Sequence, residues 1–236
     1  MRLEMLASHE YCRPRDDPIR FYNFPVIGRM YRNRVARCIA LLPPGRKVLE
    51  VGYGSGVSFL ALAAKFDEIH GIDLHEHAEQ VAHTFRHRDL RLHLRAGNVL
   101  DLPYPDASFD AALAVSIHEH LHIHEQARAF AEIRRVLKPD GCYAVGVPGM
   151  NPLMNAALYM LGYRLRDYHF SSERQVLEAM SAVFQIDATH YSPSLWTKLW
   201  TTYLCIRGRK SVPGGRRPGR PCSSPARSGP PGRGSG

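Results

Sequence analysis

The hydrophobic and polar positions of the chain change period in a regular order. Lys47–Val51 is an apolar run of strand length, and Ser58–Lys65, beyond a glycine-rich turn, has helical spacing. Glu68–Ile72 reads as a second strand, His75–Arg86 as a second helix, and Leu90–Arg95 alternates apolar and polar side chains as a strand does. Phe109–Val115 is apolar enough to be buried on both faces, and Glu125–Leu137 sets Ala129, Ile133, Val136 and Leu137 at helical intervals. Pro139-Asp-Gly141 stops that helix before a further strand, Tyr143–Val147. Strands alternating with helices at this spacing predict βαβ units and a mainly parallel sheet in an α/β domain.

The pattern changes after Pro148. Asn151–Leu165 is an apolar, Met-rich helical stretch, and Ser172-Glu-Arg-Gln175 has capping-box spacing and opens a helix through about Ser181. Strands near Phe184–Tyr191 and Leu199–Ile206 complete the sheet. Before it, an aromatic cluster (Phe21, Tyr22, Phe24, Tyr31) precedes an amphipathic helix from Gly28 onward. Three regions follow: an N-terminal cap over 1–42, the α/β domain over 43–210, and a tail over 211–236.

Charge changes the picture only once it is located. The formal net charge is +9, but eight basic and no acidic residues lie from Cys205 onward, which leaves about +1 for residues 1–204. The tail is almost wholly Gly, Pro, Ser and Arg, too poor in apolar surface to offset the entropy of ordering it, so it is expected to be disordered. A nearly neutral body makes nucleic acid an unlikely partner. The five cysteines are scattered without a CxxC pair, no secretory signal is recognisable, and no apolar run reaches the roughly 18 residues of a membrane span. A cytoplasmic protein without a disulfide framework or metal site is expected.

The sharpest chemical feature is Glu50-Val-Gly52-Tyr-Gly54-Ser-Gly56, directly after the first strand. Glycines at alternate positions let the backbone turn tightly and approach a ligand where a Cβ would clash. Asp73 lies 17 residues beyond Gly56 at the end of the second strand, where a carboxylate accepts hydrogen bonds from ribose hydroxyls. The dinucleotide fingerprint GxGxxG is not met, because Val57 occupies its third glycine position. That spacing favours a ligand without a pyrophosphate over NAD or FAD.

Together, Val48–Gly56, Gly71–Leu74, Gly97–Asp110 and Arg134–Gly141 make residues 47–147 resemble the core of class I S-adenosylmethionine-dependent methyltransferases, especially the type 11 group that includes ubiquinone- and menaquinone-biosynthesis-type enzymes. The resemblance implies a Rossmann-like fold with a mostly parallel seven-stranded sheet and helices on both faces. It implies methyl transfer from S-adenosylmethionine to a small-molecule acceptor, which the apolar stretch after the fifth strand hints is apolar or aromatic. Glu50, Gly52, Gly54 and Gly56 would line the methionine end of the cofactor. Asp73 would hold the ribose, with Leu74 beside the adenine and Val99 among the cofactor contacts. Asn98 stands where the family usually has an aspartate for the adenine amino group, and its carbonyl accepts that bond without charge assistance. Ser116 falls where the family's backbone faces the transferable methyl.

The run His118-Glu-His120-Leu-His122-Ile-His124 suggests either metal ligation at i,i+4 or acid–base chemistry near the methyl. It lies at a strand-to-helix junction, which argues against one continuous helical face. His120 matches a histidine frequent in the family and is the first candidate base, followed by His118 and Glu119. Phe21, Tyr22 and Phe24 either close over the cofactor or pack as a cap; Leu153, Met154, Leu158, Met160 and Leu161 either line an acceptor pocket or form helix core. Three rival functions stay open: a nicotinamide-dependent oxidoreductase, against which the glycine spacing speaks, a non-catalytic cofactor-binding module, and a nucleic-acid methyltransferase, although Ser116-Ile-His-Glu119 replaces the Asn/Asp-Pro-Pro-Tyr of the amine-modifying group.

Overall fold

The computed structural model describes residues 3–7, 9–12, 14, 18–149, 170–192 and 203–211. In chain order its elements are α1 (Pro25–Leu41), β1 (Gly45–Val51), α2 (Phe59–Ala63), β2 (Phe66–Asp73), α3 (Ala78–Thr84), β3 (Leu92–Ala96) and β4 (Phe109–Val115). They continue with α4 (Ile123–Val136), β5 (Leu137–Pro148), α5 (Glu173–Val183), β6 (Gln185–Ser192) and β7 (Tyr203–Arg209). The strands form one seven-stranded sheet in the order β3-β2-β1-β4-β5-β7-β6. β1 to β5 are mutually parallel, and β7 runs antiparallel between β5 and β6. This is the expected Rossmann-like α/β sheet.

Strand periodicity sorts the core into two layers. Val48, Ile69, Ala111 and Leu113 face one side, where they meet Val35 and Ile39 of α1, Phe59 and Leu62 of α2, and Val81 of α3. Leu49, Val51, Ala112 and Ala114 face the other, against Phe130 and Ile133 of α4 and Val176 and Met180 of α5. Because both faces are covered, β4 is buried at nearly every position, which is why its sequence is a continuous apolar run.

Several boundaries differ from the sequence reading. α1 starts at Pro25, three residues before Gly28, since proline suits the first helical turn. Gly28 itself lies so close to the preceding 3-10 turn (Pro18–Asn23) that a Cβ would meet the Tyr22 carbonyl oxygen at 2.1 Å. α3 is confined to Ala78–Thr84, because Asp73 and His75 are engaged with the glycine loop instead of opening a helix. The Ser172–Gln175 capping box is present, and α5 runs to Val183. Arg207 and Arg209, counted by sequence with the basic tail, belong to β7 and both pair with Asp187 of β6. The stretch 151–165 and the tail from 212 lie outside the described residues, as do 199–202 of the last expected strand.

Two motifs of the family core turn out to hold each other. Arg135 donates to the carbonyls of Leu102 and Tyr104 and pairs with Glu132 and Asp106, while Glu132 accepts from the Leu102 amide. Lys138 meets Asp110 at 2.6 Å, and Asp110 accepts from the amides of Arg46 and Lys47 where β1 begins. These side chains clamp the 97–110 loop to the end of α4 and set the register of β4 beside β1. They do not approach the glycine loop.

Candidate active site

The chain runs outward from β1 to β3 on one side and from β4 to β5 on the other, so a crevice opens at the carboxyl ends of β1 and β4. In open α/β sheets this reversal point is where ligands bind. The glycine loop lies on its near side. Gly52, Gly54 and Gly56 all have positive φ (71°, 52° and 80°), a conformation that strains any residue with a Cβ. At Gly52 a Cβ would also lie 2.0 Å from Ile117 Cδ1, so glycine is required to let the β4 exit pack against the loop.

Two carboxylates brace this loop. Asp73 Oδ2 accepts from the Gly54 amide at 2.8 Å, and His75 Nε2 lies 3.1 Å from the Gly54 carbonyl oxygen and 3.7 Å from Asp73 Oδ2. α3 begins only after His77, so Asp73 is not a helix cap; its carboxylate, 18% exposed, remains at the crevice. Beside it Leu74 is 77% exposed, an apolar surface left in solvent at the strand end. Glu50 is buried beneath the loop and accepts from Ser58 Oγ at 2.5 Å. Burial pushes its carboxyl up to about 8, with the neighbouring Asp73 acting in the same direction. Asn98 is exposed and closes a turn by accepting from the Leu100 amide at 3.0 Å. The Val99 side chain is buried in the α4 layer, which leaves only its backbone to meet a ligand.

The far side is built at the exit of β4. Ser116 has φ 59°, in the left-handed region that non-glycine residues rarely occupy. Its amide donates to Gly146, and its hydroxyl is 3.1 Å from the Tyr203 hydroxyl. A Cβ at Gly146 would meet Tyr203 Oη at 2.4 Å and Cys38 Sγ at 2.6 Å, so glycine in β5 makes room for Tyr203. Sequence reasoning passed over Tyr203, Gly146 and Arg34. Their only signal is proximity, which chain order does not carry.

The histidine run divides by environment. His118–His120 is a 3-10 turn and α4 starts only at Ile123, so the four imidazoles do not share a helical face. His118 is fully buried, stacked on Phe130 with ring centres 4.4 Å apart. Gln126 donates its amide to the His118 carbonyl, which leaves its Oε1 to accept from His118 Nδ1 at 2.8 Å. His118 Nε2 then accepts from Tyr143 Oη at 2.7 Å. Burial pulls the imidazole down to about 4, so it is neutral with its lone pair already committed. His120, His122 and His124 are exposed, and His122 caps α4 together with Glu125. Glu119 is buried, Oε2 has no hydrogen-bond partner among the described residues, and burial raises its carboxyl to about 8.

Tyr22 is buried against α1, Phe21 stacks on Tyr31, and Phe24 is 54% exposed, so the aromatic cluster packs largely as a cap on α1. Leu153, Met154, Leu158, Met160 and Leu161 lie outside the described residues. Among the described residues Glu68, His70 and His93 bring potential metal-ligating atoms within 4.8 Å of one another. Lys47 already occupies Glu68 at 3.0 Å, and the two imidazoles stack across β2 and β3, which accounts for the grouping as cross-strand packing.

The positive-φ glycine loop, the strand-end Asp73 and the sheet order resemble those of class I S-adenosylmethionine-dependent methyltransferases. Comparison with known proteins agrees: residues 49–145 match the family described as a methyltransferase domain. A probable S-adenosylmethionine-dependent methyltransferase of Mycolicibacterium smegmatis is 37% identical over 119 residues, which cover 50% of this chain and 42% of that protein. The O-methyltransferase cnsE of Penicillium expansum is 30% identical over 141 residues, 58% of this chain and 50% of the relative. The chain thus spans about half the length of these relatives or less. A structure of geranyl diphosphate methyltransferase with geranyl diphosphate and sinefungin shares the fold at TM-score 0.63 and 18% identity, covering 79% of this chain and 80% of that one.

Proposed function

We propose that this protein transfers the methyl group of S-adenosylmethionine to a small-molecule acceptor. The observation that carries the reading is Asp73, a largely buried but still accessible carboxylate that braces a positive-φ glycine loop and borders the exposed Leu74 at the mouth of the crevice. This donor set suits a nucleoside: a carboxylate for ribose hydroxyls, an apolar face for a purine ring, and glycines that keep Cβ atoms away from an amino-acid tail. When bound, the cofactor supplies an activated methyl on a good leaving group.

The chain's own residues bind and orient. Asp73 holds the ribose, Leu74 covers the adenine, and Gly52, Gly54 and Gly56 with the buried Glu50 shape the methionine end. Asn98 faces the adenine amino group through its second carbonyl lone pair, with the Val99 backbone beside it. Ser116, held in its strained conformation, directs the β4 exit at the methyl. His120 is the exposed acid–base group of that turn, since the lone pair of His118 is committed to Tyr143. Holding two reactants in line contributes on the order of 7–11 kcal/mol in favourable cases, so the reading requires no nucleophilic side chain. Closely placed buried thiols such as Cys38 and Cys205, with Sγ atoms 3.3 Å apart, suit a reducing cytoplasm. No helix of the described residues is long and apolar enough to cross a membrane.

Calorimetric titration with S-adenosylhomocysteine tests the proposal. Micromolar binding is expected, with no response to NAD, and Asp73→Ala should weaken it roughly 10- to 100-fold through the lost charged hydrogen bonds. Absence of binding by the folded protein overturns the reading. Radiolabelled methyl transfer into small-molecule extracts then identifies the acceptor.

A further inference from the structure

Arg34 carries a charge for which the described fold supplies no counter-ion. On α1 its guanidinium lies over Tyr31, 3.6 Å from the ring centre, and 5.2 Å from the ring centre of Tyr203. It is only partly exposed, yet none of the ion pairs among the described residues includes it. A charge withdrawn from water is normally paired or bound to a ligand. Two aromatic faces recover only part of what such a withdrawal costs.

Glu119 is the acidic group that feels Arg34, and it does not neutralise it. Its carboxyl, raised to about 8, is mostly the neutral acid at pH 7, which makes it a hydrogen-bond donor with one oxygen still unengaged among the described residues. Tyr203 ties this corner to the methyl-facing turn through Ser116. Met30, Arg34, Ser192 and Tyr203 line a small pocket there, where β7 begins beside the end of β5. One guanidinium at one small pocket balances a single negative charge, and its planar fork matches a carboxylate.

We propose that this pocket takes the carboxylate of a carboxylate-bearing methyl acceptor, with Arg34 as its counter-ion. The inference rests on the methyltransferase reading and adds the substrate class. Neutral apolar acceptors lack the group that Arg34 pairs with, and leave its charge uncompensated.

The test uses the full chain saturated with S-adenosylhomocysteine, titrated calorimetrically with matched acids and amides: octanoate and octanamide, benzoate and benzamide, salicylate and salicylamide. At least one acid is expected to bind about 10-fold or more tightly than its amide, as for a charge-assisted bidentate pair. Arg34→Gln should abolish that preference while the affinity for S-adenosylhomocysteine stays within about 2-fold, a cofactor measurement that also reports folding. Where Arg34→Gln does not fold, Arg34→Lys decides: it keeps the charge without the fork, so the preference should fall but not vanish. The proposal is overturned if no acid outbinds its amide, or if the preference is unchanged in the variant that folds. Failure of S-adenosylhomocysteine to bind the wild type instead overturns the methyltransferase reading. An acid preference that Arg34→Gln abolishes would then still establish the anion site.

Discussion

The two sides of the crevice are built by different means. On the side proposed to bind the cofactor, Glu50, the three glycines and Asp73 fall within one βαβ unit, and their contacts span short stretches of chain: Gly54 to Asp73 is 19 residues, Gly54 to His75 is 21. The shape there is set by backbone conformation. On the side proposed for the acceptor, Arg34, Ser116, Glu119, Gly146 and Tyr203 come from α1, the β4 exit, β5 and β7, and the Ser116–Tyr203 contact spans 87 residues. That shape is set by side chains packing across the sheet. A local site leaves a compact sequence signature, while a distributed one leaves single residues that look ordinary where they stand.

This contrast predicts that the acceptor side fails when side chains are removed and the cofactor side when they are added. The largest effect is expected for His118→Ala, which takes a ring off Phe130 and strands Gln126 Oε1 and Tyr143 Oη in the interior. Urea unfolding should show a loss of about 3 kcal/mol, against no more than about 0.5 kcal/mol for His120→Ala on the exposed face of the same turn. Equal losses would mean that the turn is not packed as described. Next, Gly52→Ala should cost about 2 kcal/mol from positive φ and the clash with Ile117. Adding Ile117→Ala should recover the steric part but not the backbone strain, so a double variant no better than the single one would break the account of the loop.

The smallest effect sharpens the comparison through pH. The folded carboxyl of Glu119 titrates near 8, above the ordinary 4.5, so the native state keeps a proton that the unfolded chain has released. Its contribution is fully present below about pH 4.5 and is lost as pH rises through about 8. Between pH 7 and 8 the loss is about 1 kcal/mol, and Glu50 behaves alike on the cofactor side. His118, depressed to about 4, acts in the opposite direction and mainly below 6.5, so this window isolates the carboxyls. Glu119→Gln should therefore remove about half of the decline seen by thermal unfolding; an unaltered slope would mean that Glu119 is ionised in the folded protein.

Much of the fold was legible because it is repetitive. Apolar runs of strand length, helical spacing in Glu125–Leu137 and the Ser172–Gln175 box are local patterns, and local hydrogen bonding enforces them. The glycine loop was legible for the same reason, since three positive-φ positions in five residues can only be met cheaply by glycine. The histidine run shows where such reading ends. His120 ranks before His118 as candidate base, but nothing in four evenly spaced histidines tells which one is packed inside; the chain buries His118 and exposes the other three.

What the sequence determined by itself, then, is the order of elements, the two-layer burial pattern and the near side of the site, because period and glycine content act through neighbouring residues. Only the tertiary structure decided which imidazole is locked, why Gly146 must lack a side chain, and that Arg34 reaches the pocket beside Tyr203. Those outcomes depend on sheet order and helix docking. They bring together residues as far apart as 34 and 203, whose relation exists only after the chain has folded.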